Sequence, residues 1–85
     1  MRKHLRYALR SAIVEVLAEE REKLHWSRRE LSRRLGTYET FINDVETYQH
    51  ALKAEEFVMI ALAMERTPTK LLLRAIRKAR KAEKT

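Results

Sequence analysis

A single glycine, Gly36, breaks a chain of 85 residues made mostly of helix formers. Glycine enters the left-handed backbone region at little cost, so a sharp stop between two helices is expected there. The one proline, Pro68, follows Thr67, a pairing suited to starting a helix rather than breaking one. Ala, Leu, Glu, Lys and Arg dominate the rest, and the fold class that follows is all-α. The length suits one domain, 1–85, with a modest core and limited stability.

Apolar spacing places five helices. The first covers about residues 3–24, with Leu5, Leu9, Ala12, Ile13, Val16, Leu17 and Leu24 on one face. Its length carries it beyond the core. The second begins at Ser27, an N-cap with Glu30 three residues on, in a capping-box pattern. Trp26 and Leu31 flank that cap as a hydrophobic staple, and the helix ends at Leu35 before Gly36. A short third helix is expected over about Tyr38–Glu46, with Ile42 and Val45 inward. Residues 47–52 read as a loop, although they lack Gly or Pro. The fourth helix covers about Lys53–Glu65 and buries Phe57, Ile60, Ala61 and Met64. The fifth starts at Pro68 with Leu71, Leu72 and Ile76 as its apolar stripe. Beyond it, the basic tail 77–85 lacks large apolar residues and is expected to fray. The expected core is Leu17, Leu31, Leu35, Ile42, Val45, Phe57, Ile60 and Leu72.

Charge is unevenly distributed. The net charge is +7, with basic ends and an acidic stretch from Gly36 to Glu65 that carries only one lysine, Lys53. Basic ends point to a polyanion, nucleic acid ahead of an acidic membrane surface. The basic end of the fifth helix suits a solvated helix terminus better than a membrane anchor, so no membrane partner is expected. There is no cysteine, and His4, His25 and His50 are isolated, so no metal site is expected. No nucleophile constellation or glycine-rich phosphate loop is visible; neither an enzyme nor a cofactor is implied. Trp26, Met59 and Met64 read as core. No apolar run reaches the length of a membrane span or signal core, and a cytoplasmic location is expected.

The residues from Arg28 to Thr47 form the informative stretch. Leu31 and Leu35 face inward from one helix, small Ser32 between them allows close approach, Gly36 turns the chain, and Ile42 and Val45 face inward from the next. This is a helix-turn-helix pattern. Around it stand Leu17-x-x-x-Arg21, Trp26-Ser27, Glu30-Leu31-Ser32-x-x-Leu35-Gly36, Thr40-Phe41-Ile42-Asn43-Asp44-Val45-Glu46, Glu56-Phe57-Val58-Met59-Ile60-Ala61 and Pro68-x-x-Leu71-Leu72. In these residues the chain resembles the phage-repressor/Cro-like (XRE-type) helix-turn-helix transcriptional regulators. The resemblance covers about residues 13–73 and runs without gaps from Leu17 to Ala61.

The resemblance implies a five-helix repressor-like domain, a homodimer and double-stranded DNA as partner. The contact between copies would come from helix five, with Leu73 as a candidate anchor, or from the extended first helix. It also implies a buried ion pair between Arg21 and Glu46. The base-facing positions become Tyr38, Glu39, Thr40, Asn43 and Asp44. The phosphate-facing positions become Arg28, Arg29, Thr47, Gln49 and His50. Asn43 suits adenine, and Thr40 a base edge or a thymine methyl. Phe41 reads as packing, while Arg33 and Arg34 read as a solvated face.

The chain also departs from the family. Glu39 and Asp44 stand where Gln, Arg or Lys are common, Tyr48 where a loop glycine is usual, and His50 and Ala51 where basic residues are usual. Two readings stay open. The carboxylates can accept from cytosine N4 in a sequence-specific DNA-binding regulator. Alternatively, the scaffold presents an acidic third helix to a protein partner, in the manner of an antitoxin or anti-repressor.

Overall fold

The computed structural model describes residues 3–84. Among them are five α-helices and no strand: α1 Lys3–Lys23, α2 Arg28–Leu35, α3 Phe41–Glu46, α4 Ala54–Ala63 and α5 Pro68–Lys84. The all-α class and the order of elements match the sequence reading. None of these helices is long and apolar enough to cross a membrane.

The first and last helices form the most extensive pair. Lys78 meets Glu15 and Glu19, and Arg74 meets Glu19 and Glu20, so the two helices run antiparallel. Their close packing explains why α5 does not stop near Arg77. Leu71, Ala75 and Ala79 recur every fourth residue and are all buried, and α5 continues to Lys84. Beyond Leu71 the stripe is made of alanine, which lets two helices approach and also favours helix intrinsically. The expected fraying near Arg77 assumed that only large apolar residues mark a buried face; Thr85, the last residue of that tail, lies outside the described residues. The same rotation of α5 turns Leu72 outward to 39% exposure, so it does not join the core. Leu35 is half-buried at the core's edge. Leu17, Leu31, Ile42, Val45, Phe57 and Ile60 are buried as expected.

A carboxylate anchors the α1–α5 seam. Glu20 is buried, yet it accepts bonds from Lys23 at 2.8 Å and Arg66 at 2.7 Å and pairs with Arg74 at 3.0 Å. Burial alone would raise its pKa, but those three cations outweigh it and hold the carboxyl at about 2.

The first four helices end in the same way. After α2, Gly36 has φ 71°, its N–H donates to the Arg33 carbonyl, and the Thr37 N–H donates to the Ser32 carbonyl. That is a Schellman motif. The same pair of bonds closes α1 around His25 (φ 59°), α3 around Tyr48 (φ 62°) and α4 around Glu65 (φ 55°). Three of the four left-handed caps therefore carry a Cβ, at a cost of about 1–2 kcal/mol each. This is why the turn after α3 carried no glycine signal.

Two outcomes follow. Nothing lies within 4 Å of a Cβ added at Gly36, so Gly36→Ala costs only backbone strain, about 1 kcal/mol, in urea unfolding. Glu65→Gly relieves the same strain and raises the unfolding free energy, by up to about 1 kcal/mol net of the greater freedom of the unfolded chain, with a higher urea midpoint. A midpoint that moves the other way in either variant contradicts the account.

Glu20 predicts a pH dependence. Its folded pKa of about 2 lies below its ordinary 4.5, so its contribution is complete above 4.5 and disappears as pH falls towards 2. Glu20→Gln lowers stability near neutral pH by about 1–3 kcal/mol, discounted because the partner cations are partly exposed. The gap between variant and wild type narrows in acid, which urea unfolding across pH measures.

Candidate nucleic-acid interface

The site is built from α2, the turn after it and α3. Ser27 caps α2: its backbone is extended, and its Oγ accepts from the Glu30 N–H at 3.0 Å. The reciprocal half of the expected capping box is replaced, because the Glu30 carboxylate turns to Arg33 Nε at 3.1 Å and Arg34 Nε at 2.7 Å. These cations hold the Glu30 carboxyl below its ordinary pKa, Arg33 foremost. Arg34 also lies over the Trp26 ring, 3.9 Å from its centroid.

After Gly36 the chain makes a turn over 37–40, so α3 begins at Phe41 rather than at Tyr38. Thr40 occupies the N-cap position without a side-chain cap. The missing acceptor comes from across the crossing: the Ile42 N–H donates to Ser32 Oγ at 3.0 Å, both residues buried. Ser32 therefore does more than make room. It satisfies an amide that the start of a helix leaves without a partner.

Phe41, Ile42 and Val45 hold α3 to the core. Tyr38, Glu39, Thr40 and Thr47 are exposed, and Asn43 and Asp44 are half-buried. Of the positions expected to face bases, only Asn43 and Asp44 lie on α3 itself. Thr40 is at its cap, and Tyr38 and Glu39 are in the preceding turn. Tyr38 packs edge-on against Phe41, and its phenol is pushed above its ordinary pKa, first by lost solvent and then by the Asp44 carboxylate.

Arg21 and Glu46 form a bidentate ion pair, with Nε to Oε2 at 2.8 Å and Nη2 to Oε1 at 3.0 Å, and their side chains are 11% and 6% exposed. Arg21 also donates to the Trp26 carbonyl at 2.8 Å. Its bonds to Glu46 hold the guanidinium above its ordinary pKa against the opposing effect of burial. Arg28 joins this network, with Nε 2.8 Å from Glu46 Oε1 and Nη1 donating to Asn43 Oδ1 at 2.8 Å. Arg29 pairs with Glu39 at 2.8 Å, both exposed. Both arginines expected at phosphates are thus engaged by carboxylates.

The remaining phosphate candidates lie at the end of α3 and beyond. Thr47 Oγ1 donates to the Asn43 carbonyl at 2.7 Å, and Gln49 Nε2 to the Thr47 carbonyl at 3.3 Å. His50 is half-buried, edge-on to Phe41, with Nε2 2.9 Å from Glu56 Oε1. Glu56 also accepts from the Lys53 N–H at 2.8 Å and so supports the start of α4. Burial pushes the Glu56 carboxyl up, but that N–H and the His50 ring hold it below its ordinary value. The sequence reading missed Glu15, Glu19 and Glu20 as partners of Arg74 and Lys78. The four-residue spacing of Glu15 and Glu19, matched by that of Arg74 and Lys78, was the available signal.

Comparison with protein-family models, with curated proteins and with solved structures finds no match for this chain.

The Glu46 network makes a graded prediction. Glu46→Ala strands a buried Arg21 and costs about 3 kcal/mol or more. Arg28→Ala costs under about 1 kcal/mol, because its side chain is 43% exposed and Arg21 still neutralises Glu46. Equal losses in denaturant unfolding would show that Arg28, and not the buried Arg21, carries the network.

Proposed function

We propose that the chain is a sequence-specific, double-stranded DNA-binding regulator of the phage-repressor type, acting as a homodimer with α3 in the major groove. The carrying observation is the asymmetry of α3. Phe41, Ile42 and Val45 tie one side to the core, while Thr40, Asn43 and Asp44 occupy the other, next to the arginine-bearing start of α2. Occupancy of the site, blocking or assisting transcription, is the mechanism.

The ion pairs divide the labour. Arg21 holds Glu46 permanently. Arg28 is the exchangeable partner: it leaves Glu46 and Asn43 for a backbone phosphate, which frees the Asn43 amide for a base edge. Arg29 likewise exchanges Glu39 for phosphate, since an exposed pair contributes little. Glu39 and Asp44 then accept from cytosine N4. Met59, expected in the core, is instead 55% exposed; with Leu62 on α4 (58%) and Leu73 on α5 (47%) it supports pairing of copies. Two recognition helices about 34 Å apart read half-sites one helical turn apart.

A second reading rests on a specific observation: Arg28 and Arg29 already have carboxylate partners, while Glu39 and Asp44 add negative charge to the same face. That face suits a basic protein partner, as in an antitoxin or anti-repressor.

Selection from random duplex DNA at near-physiological salt separates the two. The DNA reading expects an enriched motif and a log affinity that falls linearly with log salt. Asp44→Asn shifts the preferred base, and Asp44→Lys raises non-specific affinity. No enrichment and no salt-dependent binding would favour the protein-partner reading.

A further inference from the structure

We infer that an open groove on this protein is a binding site for an amphipathic organic anion, a small molecule with a carboxylate or similar head and an apolar body. The groove lies between the N-terminal half of α1, the segment from Tyr48 to Lys53, and the starts of α4 and α5, and has a volume of about 780 Å³. That falls within the ~300–1,000 Å³ range of small-ligand pockets. Its walls are apolar: Ile13 and Val14 from α1, Leu52 from the segment, Phe57 and Val58 from α4, and Leu72 from α5. Val58 and Leu72 are 40% and 39% exposed, large apolar surface left open to water.

The polar lining has one sign. Arg6, Arg10 and Lys53 line the groove, and no carboxylate does. Among the described residues none of these three side chains makes an ion pair with Asp or Glu, although most other arginines of the chain do. Arg10 lies 5.4 Å from the centroid of the Tyr48 ring instead. Tyr48, in a left-handed backbone at the end of α3, also lines the groove. Tyr7, 63% exposed, adds a second phenol.

This charge pattern selects the occupant. A symmetric contact between two copies through the groove would bring two cationic linings together in a chain of net charge +7. An anionic head pairs with Arg6, Arg10 and Lys53, while its apolar body covers Phe57, Val58 and Leu72. The inference stands whatever α3 binds.

Titration of the full chain with decanoate below its micelle concentration tests it. The expected result is saturable one-to-one binding by calorimetry, with methyl NMR shifts concentrated at Ile13, Val14, Leu52, Val58 and Leu72. Decyltrimethylammonium, with the same chain length and the opposite charge, binds at least about tenfold more weakly, the equivalent of about 1.4 kcal/mol. The Arg6→Glu/Arg10→Glu variant loses a similar factor for decanoate while keeping its thermal transition. Should that variant fail to fold, the comparison of head groups on the wild-type protein decides. Equal binding of both heads, shifts spread over the whole protein or mapping elsewhere, or no saturable binding would overturn the proposal. So would a decanoate affinity that falls as protein concentration rises, because the groove would then be filled by a second copy.

Discussion

Glu46 is the point at which α1, α2 and α3 are held together. α3 has six residues, too few to persist alone in water, because one or two turns do not offset the cost of nucleating a helix. Its position comes from outside. Glu46, at its last residue, is gripped by Arg21 from α1 and Arg28 from α2, and Ser32 of α2 accepts from an amide in its first turn. With Phe41, Ile42 and Val45 buried beneath, both ends of α3 are fixed. The preceding turn and the outward residues inherit their placement from these bonds.

The same chemistry recurs at the α1–α5 seam with the roles reversed. There a row of carboxylates on α1, Glu15, Glu19 and Glu20, takes up cations of α5 and of Arg66 before it. The strong basic charge of the C-terminal helix is therefore partly internal. Arg77, Arg80 and Lys81 are exposed, whereas Arg74 and Lys78 face α1. Lys78 is held above its ordinary pKa by its bonds to Glu19 and Glu15, which keeps it charged in this seam. Composition overstates the positive charge that α5 can offer a polyanion. The cationic residues at the groove differ: among the described residues Arg6 and Arg10 make no ion pair with a carboxylate, and the Lys53 side chain has only the Glu56 carboxylate nearby, without an ion pair.

Much of the fold was legible in the chain. The helices, the cap at Ser27, the stop at Gly36 and most of the core came from spacing and from residues whose backbone preferences are strong. The capping box at Ser27 gave way to local i+3 and i+4 partners of Glu30, but where helix boundaries and ends differ, tertiary packing overrode a local preference. α5 runs past Arg77 because alanines pack against α1. Three helix ends adopt the glycine-type cap without glycine because the chain must turn there. α3 starts late because Ser32 offers its cap acceptor at Ile42, beyond the turn that holds Tyr38 and Glu39.

The candidate site divides along the same line. Residue types and their order put Asn43 and Asp44 on one short helix, Thr40 at its cap, and arginines at the start of another helix. Which of those groups is occupied was decided only when the helices packed. Arg28 and Arg29 read as open cations in one dimension, and in three each has a carboxylate within 2.8 Å. Lys53 is too far along the chain from Arg6 and Arg10 for the sequence to suggest a site, yet all three line one groove. Spacing along a helix reports its own face through the 3.6-residue period, but what lies opposite that face is supplied by chain tens of residues away, and no local pattern carries that partner's identity.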